Sequence, residues 1–156
     1  MRIISGKAKG KKILTPNNKK TRPLKDMVRE SIFNIIHHSN LLSLEFDQCF
    51  VLDLFSGVGS FGLEAISRGA KKVVFFEEYK PTFDLLNKNI DTLSFNKEAE
   101  TYKKDIYNEN HFKKLNYKFD LVFIDPPFKD VNIEIILEKL VNSKILNKKS
   151  LIIIHR

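Results

Sequence analysis

The chain has 156 residues, of which 42% are hydrophobic and 29% are charged, as expected for one globular domain with a substantial core. No apolar run approaches the ~20 residues of a membrane-spanning helix, and no apolar secretory segment follows the first basic residues, so we expect neither membrane insertion nor secretion. Cys49 is the only cysteine. A single thiol excludes an internal disulfide and is typical of a cytoplasmic protein, in which we expect Cys49 to pack as a small apolar side chain.

The net charge of +8 is concentrated at the N-terminus. Residues 1–25 contain nine basic side chains and no acidic one, whereas the other 131 residues contain 18 basic and 19 acidic side chains. Such clustering is typical of a surface that binds nucleic acid, so we predict a basic arm over residues 1–24 and one domain over residues 25–156. A general bias toward lysine is the alternative, but it would not keep acidic residues out of one segment. The first residues assigned to nucleic-acid contact are Arg2, Lys7, Lys9, Lys11 and Lys12.

Two elements are predicted before residue 50. Residues 2–5 and 12–14 are short apolar stretches separated by Gly6 and Gly10, a pattern that favours a small β-hairpin within the basic arm. An amphipathic helix follows a polar connector and begins near Asp26. Its apolar face is predicted from residues at positions i, i+4, i+7 and i+8, namely Val28, Ile32, Ile35 and Ile36.

From residue 50 onward, apolar strands alternate with helices. The predicted strands are residues 50–55, 73–76, 101–103, 121–124 and 151–154. Continuous apolar strands between helices indicate a parallel sheet that is covered on both faces, so we predict an α/β fold of the doubly wound, Rossmann-like type with a mostly parallel sheet. The last strand has an uncovered apolar edge, which we expect further sequence or a partner to cover.

A glycine-rich turn follows the first strand and allows two interpretations. Gly57, Gly59 and Gly62 satisfy the spacing G-x-G-x-x-G, and Glu77 follows twenty residues after Gly57. This spacing is typical of a dinucleotide site, in which the acid binds a ribose diol. Asp53, four residues before Gly57, favours a different ligand, because its carboxylate would repel a pyrophosphate but would attract the ammonium and sulfonium groups of S-adenosylmethionine.

The cofactor prediction therefore favours S-adenosylmethionine. Glu77 is predicted to accept hydrogen bonds from both ribose hydroxyls, and Asp105, after the third strand, to accept one from the adenine amino group. The full set of predicted cofactor-binding residues is Asp53, Phe55, Ser56, Gly57, Gly59, Glu77 and Asp105.

The predicted catalytic residues are Asp125, Pro126, Pro127 and Phe128, which directly follow the fourth strand. In a doubly wound sheet this loop faces the glycine-rich turn. Asp125 and the carbonyl of Pro126 can each accept one N–H of an exocyclic base amine, and the prolines stiffen the loop. Phe128 offers a ring on which an extruded base can stack. The pattern predicts methylation of such an amine. An enzyme that transfers hydride would have no obvious use for this loop.

Taken together, these residues resemble the RsmD-type guanine-N2 methyltransferases of bacterial small-subunit ribosomal RNA. The resemblance implies S-adenosylmethionine as cofactor, guanine N2 as acceptor, and ribosomal RNA in the small subunit or an assembly intermediate as partner. It implies that Arg22 and Arg29 lie on the substrate side, with structural salt bridges as the alternative. The family adds two strands after the fifth, and both are missing here. The resemblance is carried by residues 2–6, 10, 21–23, 28–34, 53–57, 62–65, 67–69 and 125–128.

Three other functions remain open. A DNA methyltransferase acting on adenine N6 or cytosine N4 would share the catalytic loop, an NAD-dependent enzyme would share the glycine spacing, and a non-enzymatic RNA-binding module would share the basic arm. The four histidines show no metal-ligand spacing, so no metal is assigned, and His111 is expected on the surface. We expect a monomer in the cytoplasm.

Overall fold

The computed structural model describes residues 1–16, 24–39, 44–107, 111–127 and 132–155. Within those ranges, a five-stranded parallel sheet carries helices on both faces. None of the helices described there is both long enough and apolar enough to cross a membrane. The helices are α1 (Asp26–His38), α2 (Ser60–Ser67), α3 (Lys80–Leu93) and α4 (Ile133–Ser143), with 3₁₀ turns at Phe46–Gln48 and His111–Lys114. The strands are β1 (Phe50–Leu54), β2 (Lys72–Phe76), β3 (Ala99–Tyr102), β4 (Phe119–Ile124) and β5 (Leu146–Ile154).

The strand order is β3-β2-β1-β4-β5, so the chain winds first in one direction from β1 and then in the other from β4. This order confirms the doubly wound, Rossmann-like fold predicted from the sequence. The carboxyl ends of β1 and β4 lie level, because Leu54 pairs with Ile124. Ligands of such sheets bind in the crevice where the winding reverses, which here lies between these two strand ends.

Alternate residues of the central strands point to opposite faces of the sheet. On the first face they pack against α1, α2, α3 and the N-terminal residues, and on the second against α4 and the turn at His111–Lys114. Because both faces are buried, the central strands β1, β2 and β4 are mostly apolar. The core side chains of β1, β2 and β4 are Val51, Val73, Phe75, Leu121 and Phe123 on the first face, and Leu52, Leu54, Val74, Phe76, Phe119, Val122 and Ile124 on the second.

The described part of the basic arm packs on the first face and does not project from it. An antiparallel bridge between Arg2 and Lys12 confirms the predicted hairpin pairing, although residues 1–16 form no longer strand. The packing is apolar, which explains why this segment alternates between cationic and aliphatic residues. The side chains that anchor it in the core are Ile3, Ala8 and Ile13.

The hairpin extends along α2, from the carboxyl ends of the strands toward their amino ends. Near the strands' carboxyl ends, the Asn89 side chain bonds to the N–H and the carbonyl of Leu14, at 2.8 and 3.1 Å, and to the carbonyl of Val58 at 3.1 Å. At the opposite edge, the N–H of Lys7 donates to the carbonyl of Ser67, the last residue of α2, at 2.8 Å. The turn that contains Lys7 is therefore about one α2 length, ~12 Å, from the loop that contains Val58.

Two predictions about burial are wrong. Ile35 is 63% exposed, and α1 instead buries Arg29, Phe33 and Ile36. Arg29, Phe33 and Ile36 form the buried face, and Ile35 lies about 100° around the helix from Ile36, on the side away from the other two, so it points to solvent. His111 is only 7% exposed, because its 3₁₀ turn closes the second face and its neighbour Phe112 fills the core there.

Cys49 packs as predicted, at the residue before β1. Its side chain is 1% exposed within the apolar core of the first face. Burial raises the pKa of its thiol to about 12, and the nearby carboxylate of Asp120 acts in the same direction. A buried thiol that stays protonated at neutral pH is a poor nucleophile, as expected for a packing role.

Candidate active site

Three carboxylates lie along the sheet edge at which the winding reverses. Asp53 belongs to β1, whereas Glu77 and Asp125 each follow the last residue of a strand, β2 and β4 respectively. The pKa of each carboxyl group is raised, and burial is the largest cause in all three cases. In the described part of the chain, no three His, Cys, Asp or Glu side chains are grouped closely enough to hold a metal ion. The fold thus brings together the acids that the sequence pattern assigned to the cofactor and to catalysis.

The glycine loop, from Phe55 to Gly59, turns the chain from β1 into α2. Phe55, Gly57 and Gly59 have φ angles of 58°, 57° and 84°. A phenylalanine in this region is strained and must be held there by its surroundings. The N–H and the hydroxyl of Ser56 both donate to the carbonyl of Phe76 in β2, at 2.9 and 3.2 Å. These bonds hold the strained turn against the sheet.

Gly62, the third glycine of the motif, allows α2 to pack closely on the sheet. A Cβ built on Gly62 would lie 2.2 Å from a ring carbon of Phe75 in β2. Only a hydrogen fits there, so the residue has the packing role that the third glycine has in nucleotide-binding folds. That role is common to folds that bind different cofactors, so it does not decide between them.

Asp53 is buried beneath the start of α2. Its side chain is 1% exposed, and Oδ2 accepts the N–H of Gly62 at 2.9 Å. Burial raises the pKa of Asp53 well above its usual value, the bond from Gly62 lowers it, and the charges of Asp125 and Glu77 raise it further. Within the described residues, Asp53 has no cationic partner. A buried carboxylate of this kind is suited to a cationic ligand.

Glu77 connects the glycine loop to the end of β2. Its Oε2 accepts the N–H of Gly57 and its Oε1 accepts the N–H of Tyr79, both at 2.8 Å. Burial raises the pKa of Glu77, and these two hydrogen bonds oppose that effect. Because each carboxylate oxygen has more than one acceptor position, both oxygens can still accept a ligand hydroxyl.

Asp105, the predicted adenine-binding residue, is half-buried and follows β3 by three residues. Its Oδ1 accepts the N–H of Tyr107 at 2.8 Å. The ring of Tyr107 in turn lies 5.8 Å from the ring of Phe55, between centroids. This ring contact brings the segment after β3 beside the glycine loop, at the same edge of the sheet.

The predicted catalytic loop begins beside the glycine loop. The N–H of Asp125 donates to the carbonyl of Leu54, the last residue of β1, at 3.3 Å. The Asp125 side chain is 27% exposed, Pro126 is buried and Pro127 is exposed. Phe128 lies outside the described residues, so its stacking role stays a prediction.

His155, which the sequence prediction did not assign to the site, contacts the carboxylate of Asp125, the residue predicted to be catalytic. Its Nδ1 lies 2.8 Å from Oδ1 of Asp125. The pairing of Ile124 with Ile154 explains the contact, because the next residue of each strand must then lie side by side. Knowledge that β4 and β5 are neighbours with this register would have been enough to find it.

The RNA-contact residues predicted in the basic arm differ in their surroundings. The side chain of Lys7 is paired with Glu98, with 2.5 Å between Nζ and Oε1, and also lies over the ring of Phe95 at 5.0 Å. Arg22 lies outside the described residues. The remaining four cations are exposed, and no ion pair occupies them within the described chain: Arg2, Lys9, Lys11 and Lys12.

The prediction that Arg29 contacts RNA is wrong, because its side chain is 0% exposed. Its guanidinium donates to the carbonyl of Arg2 and, at 3.0 Å, to the carboxylate of Asp26. Its Nε lies 3.8 Å from the buried carboxylate of Glu64 in α2. Glu64 also accepts the N–H groups of residues 4 and 5, so the salt-bridge alternative is correct and Arg29 anchors the N-terminal hairpin.

Comparison with known proteins identifies relatives over the whole chain. The family described as Conserved hypothetical protein 95 matches residues 1–156. The Ribosomal RNA small subunit methyltransferase D of Buchnera aphidicola (subsp. Acyrthosiphon pisum) is 36% identical over 158 residues, which covers 99% of this chain and 76% of the relative. The protein of the same name from Haemophilus influenzae is 38% identical over 140 residues, covering 82% of this chain and 64% of the relative. The solved structure of the Escherichia coli protein yhhF has a TM-score of 0.80 and 28% identity, covering 99% of this chain and 78% of that one.

Proposed function

Because this chain belongs to the Conserved hypothetical protein 95 family of RsmD-type methyltransferases, we propose that it transfers a methyl group from S-adenosylmethionine to the exocyclic N2 amine of a guanine in small-subunit ribosomal RNA. The observation that carries this proposal is the position of Asp125. Its backbone N–H is hydrogen-bonded to β1 beside the glycine loop, and its side chain stays accessible. The names of the relatives from Buchnera aphidicola and Haemophilus influenzae support ribosomal RNA as the substrate. We propose that the protein acts as a monomer in the cytoplasm, and that its substrate is the small subunit or an assembly intermediate.

The acids of the crevice fit S-adenosylmethionine better than a dinucleotide. A cation bound beside Asp53 would favour the ionised carboxylate that burial disfavours, whereas a pyrophosphate would be repelled. Glu77 has acceptor capacity left on both oxygens for the ribose hydroxyls, and Asp105 is proposed to accept the adenine amino group. When bound, the cofactor supplies an electrophilic methyl group on a sulfonium.

The acceptor amine needs help, because its lone pair is delocalised into the base. In the proposed arrangement, Asp125 accepts one N–H and the Pro126 carbonyl accepts the other, so that the lone pair is directed at the methyl group. As the N–C bond forms, positive charge grows on nitrogen, and the carboxylate of Asp125 stabilises it and takes the proton. A stacked guanine cannot reach this crevice, so the target must be unpaired or extruded, and Phe128 is proposed to stack on it.

The basic residues would hold the RNA backbone around this crevice. Arg2, Lys9, Lys11 and Lys12 are exposed and lie on a hairpin that extends from the catalytic edge of the sheet toward the opposite edge. Contacts with phosphates from such a surface position an RNA without reading its sequence. Lys7 and Arg22 are proposed as further contacts, the former weakened by its pair with Glu98.

The decisive experiment supplies small ribosomal subunits from a strain that lacks the gene to the purified protein with methyl-labelled S-adenosylmethionine. We expect one new N2-methylguanine by nucleoside mass spectrometry, and a loss of at least about 10²-fold for Asp125→Asn with S-adenosylhomocysteine binding retained. The matched control is Asp84→Asn, on the exposed surface of α3. Label in another nucleoside of the subunits, or transfer to adenine or cytosine when DNA is supplied in their place, would overturn the acceptor. Binding of NADH without binding of S-adenosylhomocysteine would overturn the reaction.

A further inference from the structure

We propose that His155 is a positioning residue for methyl transfer: its ring holds Oδ1 of Asp125 so that Oδ2 is presented to the acceptor amine. This inference rests on the proposed function, because it assigns a task to a neighbour of the proposed catalytic carboxylate. Nothing in the glycine motif or the catalytic loop indicates it, since His155 follows a different strand, 30 residues further along the chain.

Asp125 is held from both sides by the two strands that flank β4. Its own N–H donates to the carbonyl of Leu54 in β1 at 3.3 Å. On the other side, the N–H of His155 donates to the carbonyl of Ile124 at 3.0 Å, which continues the β4–β5 ladder past the last paired residues. The His155 ring is thereby brought to 2.8 Å from Oδ1. The backbone of both partners is fixed, so the contact does not depend on a flexible loop.

The pair leaves one carboxylate oxygen free for the substrate. No residue in the described ranges donates a hydrogen bond to Oδ2 of Asp125. The side chains of His155 and Asp125 are 36% and 27% exposed, so both reach the open side of the crevice. The last torsion of an aspartate is soft, and a hydrogen bond to one oxygen is what orients the other. His155 therefore decides the direction in which Oδ2 points.

Asp125 must be ionised at the start of the reaction, because it has to accept a proton from the amine. The amine lone pair forms the N–C bond, the S–C bond breaks toward sulfur, and one N–H proton passes to Oδ2. The titratable groups that face Asp125 are Asp53 in β1 and His155, the residue after β5. Burial raises the pKa of Asp125, and only the hydrogen bond and charge of His155 oppose that within the described chain. His155 thus supports the form of Asp125 that can accept the proton.

Two nearly isosteric substitutions separate this role from simple packing. His155→Asn keeps an N–H close to the position of Nδ1, whereas His155→Leu has a similar volume and no donor. We expect His155→Leu to lower kcat by about 10- to 100-fold with little change in S-adenosylhomocysteine affinity, and His155→Asn to restore most of it. The acid limb of the kcat–pH profile should move to higher pH in His155→Leu. The control is His38→Leu, at the exposed end of α1, which should match the wild type.

Full activity of His155→Leu would overturn the inference and leave the proposed function intact. Equal losses in the Leu and Asn variants, with unchanged pH profiles, would also overturn it, because they would indicate a packing role. An inactive wild type would overturn the proposed function instead. In that case ¹⁵N NMR of the His155 ring tests whether His155 donates to Asp125. A proton on Nδ1 that is lost in Asp125→Ala supports the contact, and a neutral ring protonated only on Nε2 contradicts it.

Discussion

The carboxylate of Asp53 accepts the backbone N–H of Gly62 at 2.9 Å while only 1% of the residue is exposed. Burial makes its pKa in the folded protein higher than in the unfolded chain. For an acid with that shift, the contribution to stability is full below the unfolded pKa and is lost as pH rises through the folded pKa. At neutral pH, therefore, Asp53 lowers the stability of the ligand-free protein.

Asp53→Asn should consequently stabilise the ligand-free protein at pH 7 by about 1 kcal/mol, or about 3 °C in Tm, because the amide can keep the bond from Gly62 without a buried charge. The gain should shrink as pH falls, since protonated Asp53 resembles Asn. Affinity for S-adenosylmethionine should fall by at least about tenfold, because the cation loses its partner. Thermal unfolding at several pH values, with titration calorimetry, checks both. A variant less stable than the wild type at pH 7 would contradict the assignment.

Gly6 and Gly10 offer a matched test of how the N-terminal hairpin is docked. Their φ angles are nearly equal, +81° and +83°, so alanine causes similar backbone strain at both. A Cβ on Gly6 would lie 1.8 Å from the carbonyl oxygen of Ser67, whereas one on Gly10 would meet nothing within 4 Å. Gly10→Ala should cost about 1–2 kcal/mol, and Gly6→Ala about 2 kcal/mol more, because the hairpin must move off α2. Urea unfolding measures the difference, and equal losses would show that the hairpin is not docked there.

Arg29 should matter for stability and not for RNA affinity. Arg29→Ala would leave the carbonyl of Arg2 without its donor and would remove a cation from the buried carboxylate of Glu64, so we expect a loss of about 3 kcal/mol. Lys9→Ala, at an exposed position, serves as the control and should change stability by less than about 0.5 kcal/mol. Chemical unfolding together with RNA titration of the folded variants tests this. A selective loss of RNA affinity in Arg29→Ala would restore the role predicted from the sequence.

The exposed lysines of the hairpin should determine how RNA binding responds to salt. Substitution of Lys9, Lys11 and Lys12 by Ala together should lower the slope of log affinity against log salt by about 2 to 3, roughly one for each lost phosphate contact. Lys7→Ala should change the slope less, because Lys7 is already paired with Glu98. Filter binding of a small-subunit ribosomal RNA fragment between 50 and 300 mM salt, a range of about sixfold, gives these slopes. An unchanged slope in the triple variant would place the RNA on another surface.

Most of the architecture could be predicted because it depends on local patterns. Apolar runs and the turns between them indicated the five strands within one or two residues, apart from β5, which begins at Leu146 rather than near residue 151. The extra residues of β5 include exposed lysines and pair across a register shift in β4, so no apolar run marks them. The common location of the acids could be predicted because parallel strands present their carboxyl ends on one side of the sheet.

The errors concern side chains whose partners are distant in sequence. In the sequence, Arg29 looks like any cation on an amphipathic helix. It forms a buried ion pair because the fold places Glu64, 35 residues later, beside it. His155 and Asp125 meet through strand register alone. Burial of His111 depends on a 3₁₀ turn that the hydrophobic periodicity of the sequence does not indicate. The cofactor, catalytic and RNA-binding roles of the predicted site residues stay predictions, and Phe128 and Arg22 also lie outside the described residues.

The left-handed backbone of Phe55 also bears on the thermodynamics of cofactor capture. Ser56 is bonded to β2 and Gly57 to Glu77 before any ligand is present, so the loop loses its conformational entropy during folding. Binding then has little further ordering to do at this loop. The amide protons of Ser56 and Gly57 should already exchange slowly in the ligand-free protein, and the association rate should be governed by diffusion rather than by closure of the turn.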